Sequence, residues 1–67
     1  MTTQQLKQQL KDECVRLSVL MKSAPKRRWQ RLNRQLGPLL NQLDPLMGDA
    51  EAMRFYTYCE KLAGDTA

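Results

Sequence analysis

Residues 29–47 read WQRLNRQLGPLLNQLDPLM, and this stretch decides the fold. Its tryptophan and leucines recur at alternating intervals of three and four residues, the heptad spacing that keeps one apolar line facing a neighbouring helix. We call this line the leucine seam; it consists of Trp29, Leu32, Leu36, Leu39, Leu43 and Leu46. Leu40 and Met47 widen it, since each follows a seam residue by four positions. The stretch therefore predicts an amphipathic helix that packs on a partner helix.

Gly37-Pro38 interrupts the middle of the leucine seam. Pro38 has no amide hydrogen to donate to the carbonyl of Arg34, and its ring crowds the preceding turn. A glycine directly before it can end a helix. The sequence is thus compatible with one long helix kinked at Gly37-Pro38 or with a helix over 25–36 that ends there. The heptad stays in phase across the break, which favours the kinked helix.

The residues before this stretch predict a first helix over about residues 3–22. Thr2 and Gln5 fit a capping box, in which the threonine hydroxyl accepts from the glutamine amide and the glutamine side chain reaches back. Apolar residues then recur on one stripe at helical spacing: Leu6, Leu10, Cys14, Leu17, Leu20 and Met21. Val15 and Val19 project from the opposite side. They predict either a second buried face, in contact with another subunit, or two exposed valines.

Segment 23–25, Ser-Ala-Pro, separates the first helix from the second. Serine caps a helix well, and proline is tolerated in the first turn, where its missing amide hydrogen is not needed. So short a connection predicts that the two helices form an antiparallel hairpin. Asp44-Pro45 ends the second helix, because proline disfavours the helical conformation of the residue before it. We place this helix at about residues 25–44, with a kink at 37–38.

A third helix is predicted over about residues 49–63. Asp49 is a suitable N-cap, and Glu51 lies in the first turn, where the helix dipole favours an acid. The apolar stripe comprises Ala52, Phe55, Tyr56, Cys59, Leu62 and Ala63. Gly64 suits the position after the helix, and residues 65–67 are predicted to fray. No stretch alternates like a strand, so the predicted fold class is all-α, a helical hairpin plus a third helix.

The chain has 67 residues, close to the lower limit for a self-sufficient core, and we expect one small helical domain over 1–67. Chains of this size gain stability from disulfides, a metal or oligomerisation. The sequence has no histidine, and two cysteines cannot complete a four-ligand zinc site, so we expect no metal and no other cofactor. We therefore predict a homodimeric bundle, formed through the leucine seam and the Val15/Val19 side of the first helix.

Cys14 and Cys59 each fall inside an apolar stripe, which favours small buried side chains over a disulfide between the first and third helices. The first thirteen residues lack the apolar core of a secretion signal, and no run approaches the length of a membrane span. We expect a soluble cytoplasmic protein with reduced thiols and no membrane partner.

The charge is unevenly distributed along the chain. From residue 14 to residue 43 there are seven basic residues and no acid, whereas residues 44–67 contain five acids and two bases. The densest basic positions are Lys26, Arg27, Arg28, Arg31 and Arg34. An arginine-rich helix face can bind the phosphates of a nucleic acid. The alternative is a solvated face, or one that pairs with the acidic C-terminal third.

The sequence does not favour catalysis. Histidine, the commonest general acid and base, is absent, and the three glycines are isolated rather than gathered in a phosphate-binding loop. We therefore expect no enzyme and no small-molecule substrate. The favoured function is a regulator or adaptor that acts through helical contacts with another intracellular protein, and the alternative is a nucleic-acid-binding accessory protein. The residues predicted to form the protein interface are Val15, Val19, Trp29, Leu32, Leu36, Leu39, Leu43, Leu46 and Tyr58.

Overall fold

The computed structural model describes residues 2–64, which form three α-helices and no strand. Helix α1 spans Thr3–Lys22, α2 spans Lys26–Leu43 and α3 spans Asp49–Leu62, with a 3₁₀-helix at Asp44–Leu46 between α2 and α3. The all-α prediction is confirmed. The ends of the three helices differ by no more than one residue from those expected, while the tail predicted to fray, 65–67, lies outside the described residues.

Helix α1 begins at the predicted capping box. The Gln5 amide donates to Thr2 Oγ1 at 3.2 Å, and the Thr2 amide donates to Gln5 Oε1 at 2.9 Å. Two amides that would lack a partner at the start of the helix are thereby satisfied, which is worth about 1 kcal/mol for a good cap. The helix ends at Ser23, whose backbone is no longer helical.

Helix α2 continues through Gly37-Pro38, so the shorter helix over 25–36 does not form. Arg34 and Pro38 are both exposed. A helix can continue through a proline with a bend, and the two residues at this turn lie at the surface, so the helix need not end there. The three buried residues of α2, Leu32, Leu36 and Leu43, all belong to the leucine seam.

The core lies along α1, which packs more extensively on α2 than on α3. It is formed by buried residues of all three helices and of the loop after the 3₁₀-helix: Leu10, Cys14, Leu17, Met21, Leu32, Leu36, Leu43, Met47, Ala52 and Cys59. Ser18 is also fully buried, and its hydroxyl donates to the carbonyl of Cys14 at 2.8 Å. This bond satisfies the polar atom inside the core.

Helix α3 is attached to α1 at both of its ends. At its start, Glu51 accepts hydrogen bonds from Lys7, at 3.3 Å, and from Lys11, and the Lys11 ammonium also lies 5.6 Å from the centre of the Phe55 ring. At its end, the backbone of Gly64 lies against Lys22. Because α2 and α3 both pack on α1 but make few contacts with each other, a space stays open between them.

Candidate interaction surfaces

The space between α2 and α3 is an apolar groove with a volume of about 510 Å³. Met21 of α1, Leu36 of α2 and Cys59 of α3 are the buried residues in its lining. The complete lining comprises Met21, Trp29, Asn33, Leu36, Leu40, Tyr56, Cys59, Glu60, Ala63 and Gly64. A volume in this range fits a ligand or several side chains of a partner. We refer to it below as the α2–α3 groove.

Helical geometry sets the length of this groove. Trp29 and Leu40 line it eleven residues apart on α2, a rise of about 16 Å or three turns. Trp29 stands at one end with 38% of its surface exposed. The indole therefore packs on the protein with one part and faces solvent with another, as tryptophans at protein interfaces do.

Polar contacts position Tyr56 at the other end of the groove. Its hydroxyl donates to Asp44 Oδ1 at 2.6 Å, which links the middle of α3 to the 3₁₀-helix that follows α2. The hydrogen bond to this carboxylate, with a smaller effect of burial, raises the pKa of Tyr56 to about 12. The phenol therefore stays protonated and bonded throughout the neutral range. Asn33 and Glu60 are the exposed polar residues in the lining.

The two cysteines are free, buried thiols. Burial raises the pKa of the Cys14 thiol to about 11, with a further contribution from nearby Cys59, and burial likewise raises the pKa of Cys59. A thiol reacts or binds metal as the thiolate, so both groups are poor nucleophiles at neutral pH. Within residues 2–64, no group of three or more histidine, cysteine or acidic side chains could hold a metal ion.

The basic residues of α2 are all exposed: Lys26, Arg27, Arg28, Arg31 and Arg34. Among the residues that the structure describes, the ion pairs are those of Lys7 and Lys11 with Glu51, and of Arg16 with Glu13. The basic positions of α2 take no part in them, so the expected pairing with the acidic C-terminal third does not form within this part of the chain. Five positive charges are thus left for a partner or for solvent.

These five charges do not all lie on one side of α2. On a helical wheel Lys26 is in line with Asn33 on the groove side, and Arg27 and Arg34 occupy the next row. Arg31 lies beyond them, and Arg28 lies on the flank away from the groove. The charges nearest to the groove are therefore those of Lys26, Arg34 and Arg27.

The predicted interface residues divide into two groups. Leu32, Leu36 and Leu43 are buried in the core of the single chain, because the apolar stripe of α1 supplies the partner that the leucine seam requires. Leu39 and Leu46 are half-buried against the same core. Leu36 also lines the α2–α3 groove, where a partner can reach it, whereas contact of Leu32 or Leu43 with a second subunit would need the core to open.

The remaining predicted residues are accessible to different extents. Val15 is half-buried, Val19 and Tyr58 are each 51% exposed, and Trp29 lies at the groove. Sequence reasoning missed Met53, the most exposed large apolar side chain among those described at 73%, and it missed the groove itself. No sequence signal marks the groove, because it arises from the distance between two helices that are not paired.

Comparison with protein-family models, with curated proteins and with solved structures finds no match to this chain. Across residues 2–64, none of the helices combines the length and the apolar character that crossing a bilayer requires.

Proposed function

We propose that this protein is a small non-enzymatic regulator or adaptor that binds another protein through its helices. The observation that carries the proposal is the open α2–α3 groove with the exposed edge of Trp29. Tryptophan is enriched among the residues that contribute most of the binding energy at protein interfaces, and these residues lie in pockets that the partner closes to water. We further assign the protein to the cytoplasm, in keeping with its buried, free thiols.

The proposal includes an antiparallel hairpin of α1 and α2. Met21, near the end of α1, and Trp29, near the start of α2, line the same part of the groove together with Gly64 after α3. The connection between α1 and α2 is only three residues long, which also supports this course. In this arrangement α1 is the central helix, and α2 and α3 lie on it with a gap between them that a partner can fill.

Site-specific photo-crosslinking in the native cells tests this function. A photoreactive residue at Asn33 points to the groove, and one at Gln35, exposed on the opposite flank of α2, is the matched control. We expect the Asn33 position to capture one defined protein and the Gln35 position to capture none. Equal capture at both positions, or no capture of a protein at Asn33, would reject the proposal.

Nucleic-acid binding is the second candidate, and the unpaired basic face of α2 favours it. Arg27, Arg31 and Arg34 lie on neighbouring rows of the exposed side, and Lys26 and Arg28 flank them. Phosphate contacts by such a face give affinity that falls steeply with salt. A gel shift at low salt tests this candidate with the Arg27, Arg31 and Arg34 triple alanine variant.

Arg16 provides the control for that experiment, because it is paired with Glu13 on α1. The candidate predicts that the triple variant loses the shift and that Arg16→Ala retains it. A shift that is absent at micromolar protein, or that the triple variant leaves unchanged, rejects nucleic-acid binding.

Self-association is the remaining part of the proposal. Since the buried leucines of the seam pack within one chain, a homodimer would use the exposed side of α1 at Val19, next to the half-buried Val15. Sedimentation equilibrium of the protein and of Val19→Lys measures this directly. A dimer that the lysine variant dissociates supports the proposal, and a monomer at all concentrations removes it.

A further inference from the structure

We propose that the α2–α3 groove receives an amphipathic helix of another protein, and that acidic side chains of this helix lie along the edge that faces α2. The inference rests on the proposed protein-binding function and adds the chemistry of the bound segment. Three features of the described residues support it: the length of the groove, the distribution of charge along its two edges, and the charge next to an exposed apolar residue of the chain itself.

The length of the groove fits a helix. Trp29 and Leu40 on one wall, and Tyr56 and Gly64 on the other, mark about two to three turns of α-helix. Apolar residues at positions i, i+3 or i+4 and i+7 of a docked helix repeat over the same distance. The floor, with Met21 and Leu36, offers apolar contact along the middle of this length.

The charges at the two edges differ. On the α2 side, Lys26 lies on the face of the groove one turn before Trp29, Arg27 and Arg34 lie in the next row, and α2 contains no acid over residues 26–43. The α3 edge carries the carboxylate of Glu60. A helix laid between these edges gains from acids on the side facing α2, and loses from acids on the side facing Glu60. Charge therefore selects an acidic partner and fixes its rotation in the groove.

A second copy of this chain is a poor occupant by the same criterion. The exposed valine Val19 has Lys22 three residues later on the same side of α1. Placing this face in the groove would bring positive charge against the basic residues of α2, which is unfavourable. A nucleic acid would use the basic face and leave the apolar groove empty.

The test selects the partner chemistry without assuming a sequence. The probe is a display library of helices of about four turns, with fixed apolar residues at i, i+3, i+4 and i+7 and with glutamate or lysine at random along both edges. The full-length protein is the bait. Selected peptides are then titrated against the fluorescence of Trp29, the one tryptophan of the chain.

Two double variants distinguish binding in the groove from attraction by the general positive charge of the protein. Lys26→Glu with Arg34→Glu changes the groove side of α2, and Arg28→Glu with Arg31→Glu changes the other side. Each pair shifts the net charge by −4, from +4 to 0, so long-range attraction is matched. We expect selected peptides to carry glutamate along one edge. Their affinity should fall about tenfold or more in the first variant and less than about twofold in the second.

A charge swap then confirms the contact. The peptide with lysine in place of the selected glutamates should bind the Lys26→Glu/Arg34→Glu protein more tightly than it binds the original protein. Circular dichroism of each variant checks that the three helices are retained, and only folded variants are compared.

Four outcomes would overturn the inference. The selected peptides lack an acidic edge, or the library yields no binder that shifts the fluorescence of Trp29. The two double variants lose affinity equally, or the protein associates with itself through the groove and excludes the peptides. An equal loss of affinity would indicate that the ligand contacts the whole basic face of α2, as a phosphate backbone would. The protein-binding function fails separately, if Asn33 captures no protein in cells. If the photoreactive residue at Asn33 captures a protein in cells but the library selects no acidic peptides, the protein-binding function is retained and the inference of an acidic partner helix is rejected.

Discussion

Tyr56 and Asp44 are joined by a hydrogen bond of 2.6 Å between the phenol and a carboxylate oxygen, twelve residues apart in the chain. The bond connects α3 to the 3₁₀-helix after α2, which otherwise touch little. It thereby limits how far the two walls of the α2–α3 groove can separate at this end.

Replacement of Tyr56 by phenylalanine tests this link. We expect a loss of about 1 kcal/mol in the free energy of unfolding, the typical worth of one hydrogen bond, with the helices retained. Urea unfolding followed by circular dichroism measures it. Tyr58→Phe is the control, because Tyr58 is half-exposed and takes part in none of the side-chain hydrogen bonds among the described residues. Equal effects of the two substitutions would show that the hydrogen bond to Asp44 does not stabilise the fold.

The same bond predicts a dependence of stability on alkaline pH. The pKa of Tyr56 is raised from 10 to about 12 in the folded protein. A raised folded pKa means that the stabilisation is complete below the unfolded value near 10 and is lost as the pH rises through 12. We expect the wild type and Tyr56→Phe to converge in stability over that interval. Ultraviolet absorbance titration of Tyr58→Phe, in which Tyr56 is the remaining tyrosine, should show an ionisation with a pKa of about 12.

Glu51 is predicted to hold the start of α3 on α1. Hydrogen bonds from Lys11 and then Lys7 lower its pKa, so this stabilisation is present above the normal glutamate range and is lost as the pH falls through the lowered value. We expect Glu51→Gln to lower the melting temperature at neutral pH and to flatten the acid side of the stability profile. Glu60→Gln, on the same helix but outside the ion pairs found in residues 2–64, should do neither.

Leu43 is predicted to be indispensable to the core, since none of its surface is exposed. Its replacement by alanine should cost about 2–5 kcal/mol. A chain of this length has a total stability of about 5 kcal/mol, so the variant should be largely unfolded at room temperature. Val19→Ala, on the exposed side of α1, should change stability by less than about 0.5 kcal/mol. A folded Leu43→Ala with native circular dichroism would contradict the core described above.

Two glycines should respond to alanine in opposite directions. Gly64 has a positive φ of 72°, a left-handed conformation that costs an L-residue about 1 kcal/mol, so Gly64→Ala should destabilise. Gly37 lies inside α2, and outside its chain neighbours and the backbone of its own helix nothing lies within 4 Å of an added Cβ. The helix propensity of alanine favours Gly37→Ala by about 0.5–1 kcal/mol, and crowding of the added Cβ by the Pro38 ring opposes it, so the substitution should stabilise by less than this amount. Thermal unfolding of the two variants side by side decides the signs. A destabilised Gly37→Ala would mean that α2 needs the glycine to accommodate Pro38.

Local patterns in the sequence were sufficient for the positions of the helices, but the caps expected at Ser23 and Asp49 do not form, since Pro25 and Gly48 occupy the N-cap positions without a side-chain hydrogen bond. The capping box at Thr2, the heptad of the leucine seam and the stop at Asp44-Pro45 each act within a few residues, and such short-range signals can be read along the chain. The choice at Gly37-Pro38 was harder. Both outcomes satisfy the local rules for glycine and proline, and the structure shows α2 continuing through Gly37-Pro38 with Arg34 and Pro38 at the surface.

The candidate sites could be predicted only in part. The exposed basic face follows from the spacing of Arg27, Arg31 and Arg34, since these three lie opposite the leucine seam on the same helix. Whether these charges would be neutralised by the acidic third of the chain could not be predicted, because pairing depends on which helices meet. Glu51 instead meets Lys7 and Lys11 of α1, and Asp44 meets Tyr56.

The sequence alone thus determined that the fold is all-α and which face of each helix is apolar, because these properties depend on residues three or four positions apart. Only the tertiary structure decided what the apolar faces contact. It places Leu32, Leu36 and Leu43 in the core that the three helices of one chain form. It also leaves α2 and α3 apart on α1, and the groove exists because this separation depends on packing between residues distant in the sequence.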